Sequence, residues 1–196
     1  FEVAIIQSLE DYFYVFENKN KNPQRKDLGE LGFINLVFQS CYLQDNKSDT
    51  YFKNLLNKTQ LDYSRYIFFY INYLISERKF NDAKDIMNNV DVINSNLLTL
   101  QTKNLIDADR FSKISSIFSC QSETDILGEF FYLIASLYSS EENYKKSNFY
   151  IKISNFLNPK FKFNLTLISE NFYINGMYNQ SKQLINDFDE EDGIYY

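Results

Sequence analysis

The feature that most constrains this chain is a residue pattern that recurs after 34 residues. It begins in the stretch GEFFYLIASLYSSEENYKKSNFYIKISNFLNP, which spans residues 128–159. Each residue of the pattern has a counterpart of similar size and polarity in the next copy. The pairs are Phe131 and Leu165, Ile134 and Ile168, Ala135 and Ser169, Tyr138 and Phe172, Tyr144 and Tyr178, Ser147 and Ser181, and Ile151 and Ile185. A period of this length is typical of stacked helical repeats, because one such unit cannot bury its apolar face alone.

Two further copies lie upstream. One places Ile67, Tyr70, Ile71, Leu74, Phe80, Ala83 and Met87 at the corresponding positions, and a shorter one holds Leu98, Leu105, Phe111, Ile114 and Phe118. Elsewhere apolar residues also fall three and four positions apart, as they do in amphipathic helices. Short polar breaks separate these segments. The pattern therefore predicts roughly eleven helices joined by short connections and stacked as antiparallel hairpins.

The spacing and residue types resemble those of the tetratricopeptide repeat family. That family uses a bulky residue, a Leu-like residue beside a small one, a Tyr, a second aromatic, another small residue and often a final Pro. The matching residues are Phe131, Ile134, Ala135, Tyr138, Tyr144, Ser147 and Pro159 in one copy and Leu165, Ile168, Ser169, Phe172, Tyr178 and Ser181 in the next. The loop around Gly176 is also similar to the family's turn between its two helices.

The resemblance implies an all-α fold in which residues 1–196 form a single α-solenoid, a right-handed superhelix of stacked hairpins. The repeats are expected at 62–93, 94–122, 126–159 and 160–193, about two-thirds of the chain. Residues 1–60 are expected to be helical without a recognisable repeat. The alternative is a non-repetitive helical bundle with accidental periodicity. It is disfavoured because two copies keep their register over about twenty residues.

Composition and charge restrict the partners. The net charge is −6, and the 20 Lys and Arg residues are scattered, so the basic stripe that collects nucleic-acid phosphates is missing. The longest strongly apolar run, 66–75, is too short to cross a bilayer, and we expect no membrane insertion. The abundance of Phe, Tyr, Asn, Lys and Ile indicates an AT-rich, bacterial genome. Protein or peptide partners are therefore expected, with no nucleic acid.

Catalytic and metal-binding signatures are weak. The chain has no His, which removes imidazole bases and ligands, and its two cysteines, Cys41 and Cys120, lie far apart and are expected to be buried free thiols. The acidic stretch at 187–193 superficially resembles a calcium loop, but a solvated connection explains it better because the required Gly and terminal Glu are missing. We therefore expect no enzyme, no cofactor and no metal.

The resemblance implies that the concave face, formed by the first helix of each hairpin, binds a protein or peptide. The candidate residues are Arg65, Phe68, Asn72, Asn96, Thr99, Lys103, Tyr132, Ser136, Ser139, Thr166, Glu170 and Tyr173. The alternative is that they are simply solvated helix faces. For the whole protein, the expected function is an interaction module or assembly scaffold. The other possibilities are a non-catalytic helical domain of a larger enzyme and a self-assembling structural subunit.

The C-terminal end bears on self-association. Solenoids normally end in a helix with a polar outer face, but the segment 178–188 keeps Leu184, Ile185 and Phe188. Gly193 to Tyr196 look like the start of another helix, so the natural chain is expected to continue with further repeats. Alternatively, the chain is expected to associate with a second copy of itself through this uncapped repeat. The compartment stays open between cytoplasm and periplasm, because no signal peptide is visible and one could have been removed.

Overall fold

The computed structural model describes residues 2–20, 28–57, 64–91, 96–186 and 188, and the described part is all-α. Its helices are α1 (Glu2–Asn18), α2 (Gly29–Tyr42), α3 (Ser48–Leu56), α4 (Ser64–Ser76), α5 (Phe80–Asn88), α6 (Leu97–Asp107), α7 (Phe111–Ile117), α8 (Glu123–Ser140), α9 (Tyr144–Leu157), α10 (Leu165–Ile174) and α11 (Tyr178–Asn186), with a short 3-10 helix (Lys162–Asn164) before α10. This confirms the all-α prediction. The expected helix start at 193–196 and most of the acidic stretch at 187–193 lie outside the described residues.

One turn geometry ends five of these helices. The second residue after α2, α4, α6, α8 and α10 adopts a left-handed conformation, with φ between 53° and 72°; these residues are Gln44, Arg78, Asp109, Glu142 and Gly176. At the last turn, the Gly176 N–H donates to the Tyr173 carbonyl at 3.0 Å and the Met177 N–H donates to the Phe172 carbonyl at 2.8 Å. The other four turns show the same pair of hydrogen bonds, the Schellman motif, which satisfies the carbonyls at a helix end and reverses the chain.

The turns recur almost periodically. Successive left-handed residues are separated by 34, 31, 33 and 34 positions. The shortest spacing, 31 positions, separates Arg78 after α4 from Asp109 after α6. The fifth hairpin, α2 and α3, was not predicted, because residues 1–60 carry no recognisable repeat pattern. Its turn is nevertheless of the same kind, and it lies 34 residues before the next one.

The chain divides into two compact units, and the first contains residues 1–99 together with 119–123. Its core is aromatic. The Phe38 ring of α2 lies edge-on to Phe52 of α3 and Phe69 of α4, with centroid distances of 6.4 and 5.2 Å. Phe52 also stacks on Tyr70 and Tyr73 at 5.5 Å. Such aromatic pairs add about 0.5–1.5 kcal/mol each beyond the area they bury.

The second unit contains residues 100–118 and 124–196. Its described core joins Ala135 of α8 and Ile151 of α9 with Leu167 and Ile168 of α10, all of them buried. Partly buried side chains surround this cluster: Tyr132, Tyr150, Leu165, Phe172 and Leu184. The prediction that Ala135 is a small residue at a close helix contact agrees with this placement.

The prediction of two free thiols is wrong, because Cys41 and Cys120 form a disulfide within the first unit. The Cα atoms of the two cysteines are 5.7 Å apart, although 79 positions separate them in sequence. Neighbouring polar contacts support the link: the Gln121 side chain donates to the Cys41 carbonyl at 3.3 Å, and the Tyr42 hydroxyl donates to Glu123 at 2.6 Å. The disulfide thus joins segment 119–123 to the end of α2.

The disulfide generates the first prediction. Cys41→Ser with Cys120→Ser should lower the free energy of unfolding by up to about 4 kcal/mol, because a closed loop of 79 residues restricts the unfolded chain strongly. Denaturant unfolding monitored by circular dichroism measures the loss. As a control, dithiothreitol should destabilise the parent chain and leave the double variant unchanged. Two free thiols in the denatured, unreduced protein would contradict the pairing.

Candidate interaction surface

The twelve predicted groove residues lie on or beside α4, α6, α8 and α10, each the first helix of a hairpin. Both compact units contribute to the set. Arg65, Phe68, Asn72, Asn96 and Thr99 belong to the first unit, and Lys103, Tyr132, Ser136, Ser139, Thr166, Glu170 and Tyr173 belong to the second.

Three of these residues are buried, contrary to the prediction that they line an open groove. Phe68, Asn72 and Thr99 are at most 3% exposed. The prediction assumed that α4 buries one face, but every residue from Phe68 to Ile75 is buried, so α4 is covered on all sides. These three side chains therefore belong to the interior of the fold.

Four other predicted residues make local contacts that stabilise helices. The side-chain oxygen of Asn96 accepts from the Thr99 N–H at 2.9 Å, as an N-terminal helix cap does. Lys103 pairs with Asp107 one turn later at 3.2 Å. The Thr166 hydroxyl donates to the Phe163 carbonyl at 2.7 Å, and the Arg65 guanidinium lies 5.5 Å from the centre of the Phe69 ring.

The second unit brings Ser139 of α8 to a buried amide that sequence reasoning missed. Asn171 of α10 is fully buried, and its side-chain oxygen accepts from Ser139 at 2.7 Å. Its amide nitrogen donates to Ser147 at 2.8 Å and to Asn148 at 2.9 Å, both on α9. One side chain thus links three helices and fixes where α10 sits. The repeat pattern could not reveal the role of Asn171, because the residue 34 positions earlier is Leu137, which has no amide.

Glu170 and Tyr173 line an open recess of about 300 Å³ between α10 and α11. We name this recess the end slot; its lining residues are Ser169, Glu170, Tyr173, Ile174, Ser181 and Ile185. The slot has an apolar rim, since Tyr173 and Ile174 are 64% and 60% exposed. Its floor is small and polar: the hydroxyls of Ser169 and Ser181 lie 2.8 Å apart. Partial desolvation against this lining raises the pKa of the Glu170 carboxyl.

A second, more polar recess of about 370 Å³ lies in the first unit. Its lining residues are Gln44, Asp45, Asn46, Asp49, Tyr73, Glu77 and Lys79. At its edge the Tyr70 hydroxyl donates to Asp49 at 2.8 Å, and Lys53 pairs with Asp49 at 2.7 Å. Desolvation works against ionisation of Asp49, but these two hydrogen bonds outweigh it and lower the pKa of the carboxyl. No group of three Asp, Glu or Cys side chains suited to a metal ion occurs among the described residues.

Known proteins do not indicate what either recess binds. A comparison with protein-family models, with curated proteins and with solved structures finds nothing that matches this chain. Within the described residues, no helix combines the length and the apolar character needed to cross a bilayer.

Asn171 generates the second prediction. Asn171→Leu keeps the branching of the side chain at Cγ but leaves Ser139, Ser147 and Asn148 without their shared partner. We expect it to lower the free energy of unfolding by about 2–3 kcal/mol, because buried polar groups lose their hydrogen bonds. Chemical denaturation measures the change. The matched control is Asn104→Leu on the exposed side of α6, expected to stay within about 0.5 kcal/mol of the parent. Equal effects of the two substitutions would contradict the bridging role of Asn171.

Proposed function

We propose that this chain is a protein–protein interaction module of the tetratricopeptide-like α-solenoid type, which binds a peptide or protein partner on the first helices of its hairpins. The observation that carries the proposal is the recurring hairpin turn, seen five times at near-constant spacing. Repeated hairpins of this length build extended binding surfaces by stacking, and such surfaces are the usual functional part of helical solenoids.

The groove is best supported in the second unit, on α8 and α10. There Tyr132, Ser136 and Thr166 are partly accessible, and Glu170 and Tyr173 are exposed. This set offers hydroxyl groups, one carboxylate and aromatic faces, which suit a peptide better than a phosphate backbone. The net charge of −6 and the scattered cations also favour a protein partner over a nucleic acid. The absence of His from the whole sequence favours binding over acid–base catalysis.

The disulfide bears on the compartment. Disulfides persist in oxidising surroundings and are rare in reducing cytosol. The link between Cys41 and Cys120 therefore supports the proposal that the module works outside the cytoplasm, in the periplasm or beyond the cell.

The third prediction tests the module directly. Selection of displayed random peptides on the folded protein should enrich sequences that bind with micromolar affinity. Ser136→Arg should weaken these peptides about tenfold, because a long charged side chain then occupies the groove of α8. Fluorescence anisotropy with labelled peptides measures the dissociation constants.

The matched control is Phe149→Asp on α9, a second helix of a hairpin, where the side chain is 61% exposed. It should leave peptide affinity unchanged. If no peptide is enriched, or if Phe149→Asp weakens binding as much as Ser136→Arg, the proposed groove is wrong. Tight binding of duplex DNA at physiological salt would overturn the choice of partner class.

A further inference from the structure

The end slot has an occupied counterpart one repeat earlier. Its six lining residues lie 34 positions after Ala135, Ser136, Ser139, Ser140, Ser147 and Ile151. The six earlier residues lie on α8 and α9, and the six slot residues lie at the corresponding positions of α10 and α11. The floor is conserved in size between the two hairpins, with Ala135 and Ser147 in one and Ser169 and Ser181 in the other.

α10 covers part of this earlier surface, while Ser136 stays partly accessible and Ser140 is exposed. Leu167 and Ile168 pack on Ala135 and Ile151, and Asn171 is hydrogen-bonded to Ser139 and Ser147. The two hairpins also differ in a way that can be measured. Ile151 is fully buried, whereas its counterpart Ile185 is 47% exposed. The structure thus shows both the surface and the kind of helix that fits it.

We propose that the end slot binds an amphipathic helix of a partner protein whose contact face copies that of α10. This face has two adjacent branched aliphatic residues and an amide side chain three residues after the second. The small serine floor lets the helix backbone approach closely, and the rim of Tyr173, Ile174 and Ile185 covers the aliphatic pair. The hydroxyl of Ser181 stands where Ser147 receives the amide of Asn171.

A second copy of the chain is a poorer occupant. Its own α10 face is already in use, because Leu167 and Ile168 are at most 7% exposed and Asn171 is fully buried. The α10 helix of a second copy is therefore not the helix that we assign to the slot. The inference rests on the proposed function as an interaction module and gives one partner of that module a chemical description.

The experiment uses the full chain and a synthetic peptide of residues 162–175 as the probe. A hydrocarbon staple between positions 170 and 174 holds the peptide helical, and these positions are exposed on α10 and so lie outside its contact face. Fluorescence anisotropy should give a micromolar dissociation constant. The matched control peptide carries Ile168→Asp, which puts a charge on the contact face, and it should bind at least about tenfold more weakly.

Two protein variants locate the binding site. Ile185→Asp alters the slot rim and should weaken the peptide by at least about tenfold. Ile6→Asp alters a similarly exposed isoleucine on α1, in the other unit, and should change nothing. Circular dichroism confirms that both variants are folded. Ser136→Arg tests the groove separately, so failure of the slot and failure of the proposed function can be told apart.

Three results would overturn the inference. The first is no binding of the stapled peptide. The second is binding that Ile185→Asp leaves intact, which would mean that the peptide exchanges with α10 in its own hairpin. The third is concentration-dependent dimerisation of the chain alone, seen by analytical ultracentrifugation and abolished by Ile185→Asp. That result would assign the slot to a second copy.

Discussion

The fold depends on one backbone constraint, the left-handed residue that ends the first helix of each hairpin. At four of the five turns this residue carries a side chain: Gln44, Arg78, Asp109 and Glu142. A residue other than glycine costs about 1 kcal/mol in this conformation. The two hydrogen bonds that it makes possible satisfy helix-end carbonyls, and the next helix can then start within a few residues. Without this reversal the apolar faces of neighbouring helices would not meet.

Buried amides then fix how the helices pack in each unit. In the first unit, Asn35 of α2 donates to Ser8 at 2.9 Å and accepts from Tyr12 at 3.1 Å, both on α1. In the second unit, Asn171 plays the same part between α8, α9 and α10. Apolar packing tolerates small shifts of one helix against another, whereas a buried amide with satisfied partners does not. Both units therefore combine an adaptable apolar core with directional polar contacts.

The helical class could be predicted from the sequence, because apolar residues three and four positions apart are a local signal, whereas the division into repeats stays a prediction. The sequence did not reveal the hairpin of α2 and α3, whose turn is set by backbone geometry at Gln44 and not by a characteristic residue. The pairing of Cys41 with Cys120 was missed because it depends on a contact across 79 positions. Phe68, Asn72 and Thr99 were placed on an open face because periodicity cannot tell how many sides of a helix are covered. The end slot was partly anticipated through Ile185, while Asn171 has no counterpart in the repeat.

The central claim is that α10 and α11 repeat the hairpin of α8 and α9, and that among the described residues no helix covers Ile185 as α10 covers Ile151. Native-state hydrogen exchange at amide resolution, on dilute and demonstrably monomeric protein, tests it most directly. Because α10 covers α9 while Tyr178 and Ile185 of α11 are exposed, amides of α11 should exchange roughly tenfold or more faster than those of α9. Equal and strong protection of the two helices would show that the last hairpin is covered, and it would contradict this account.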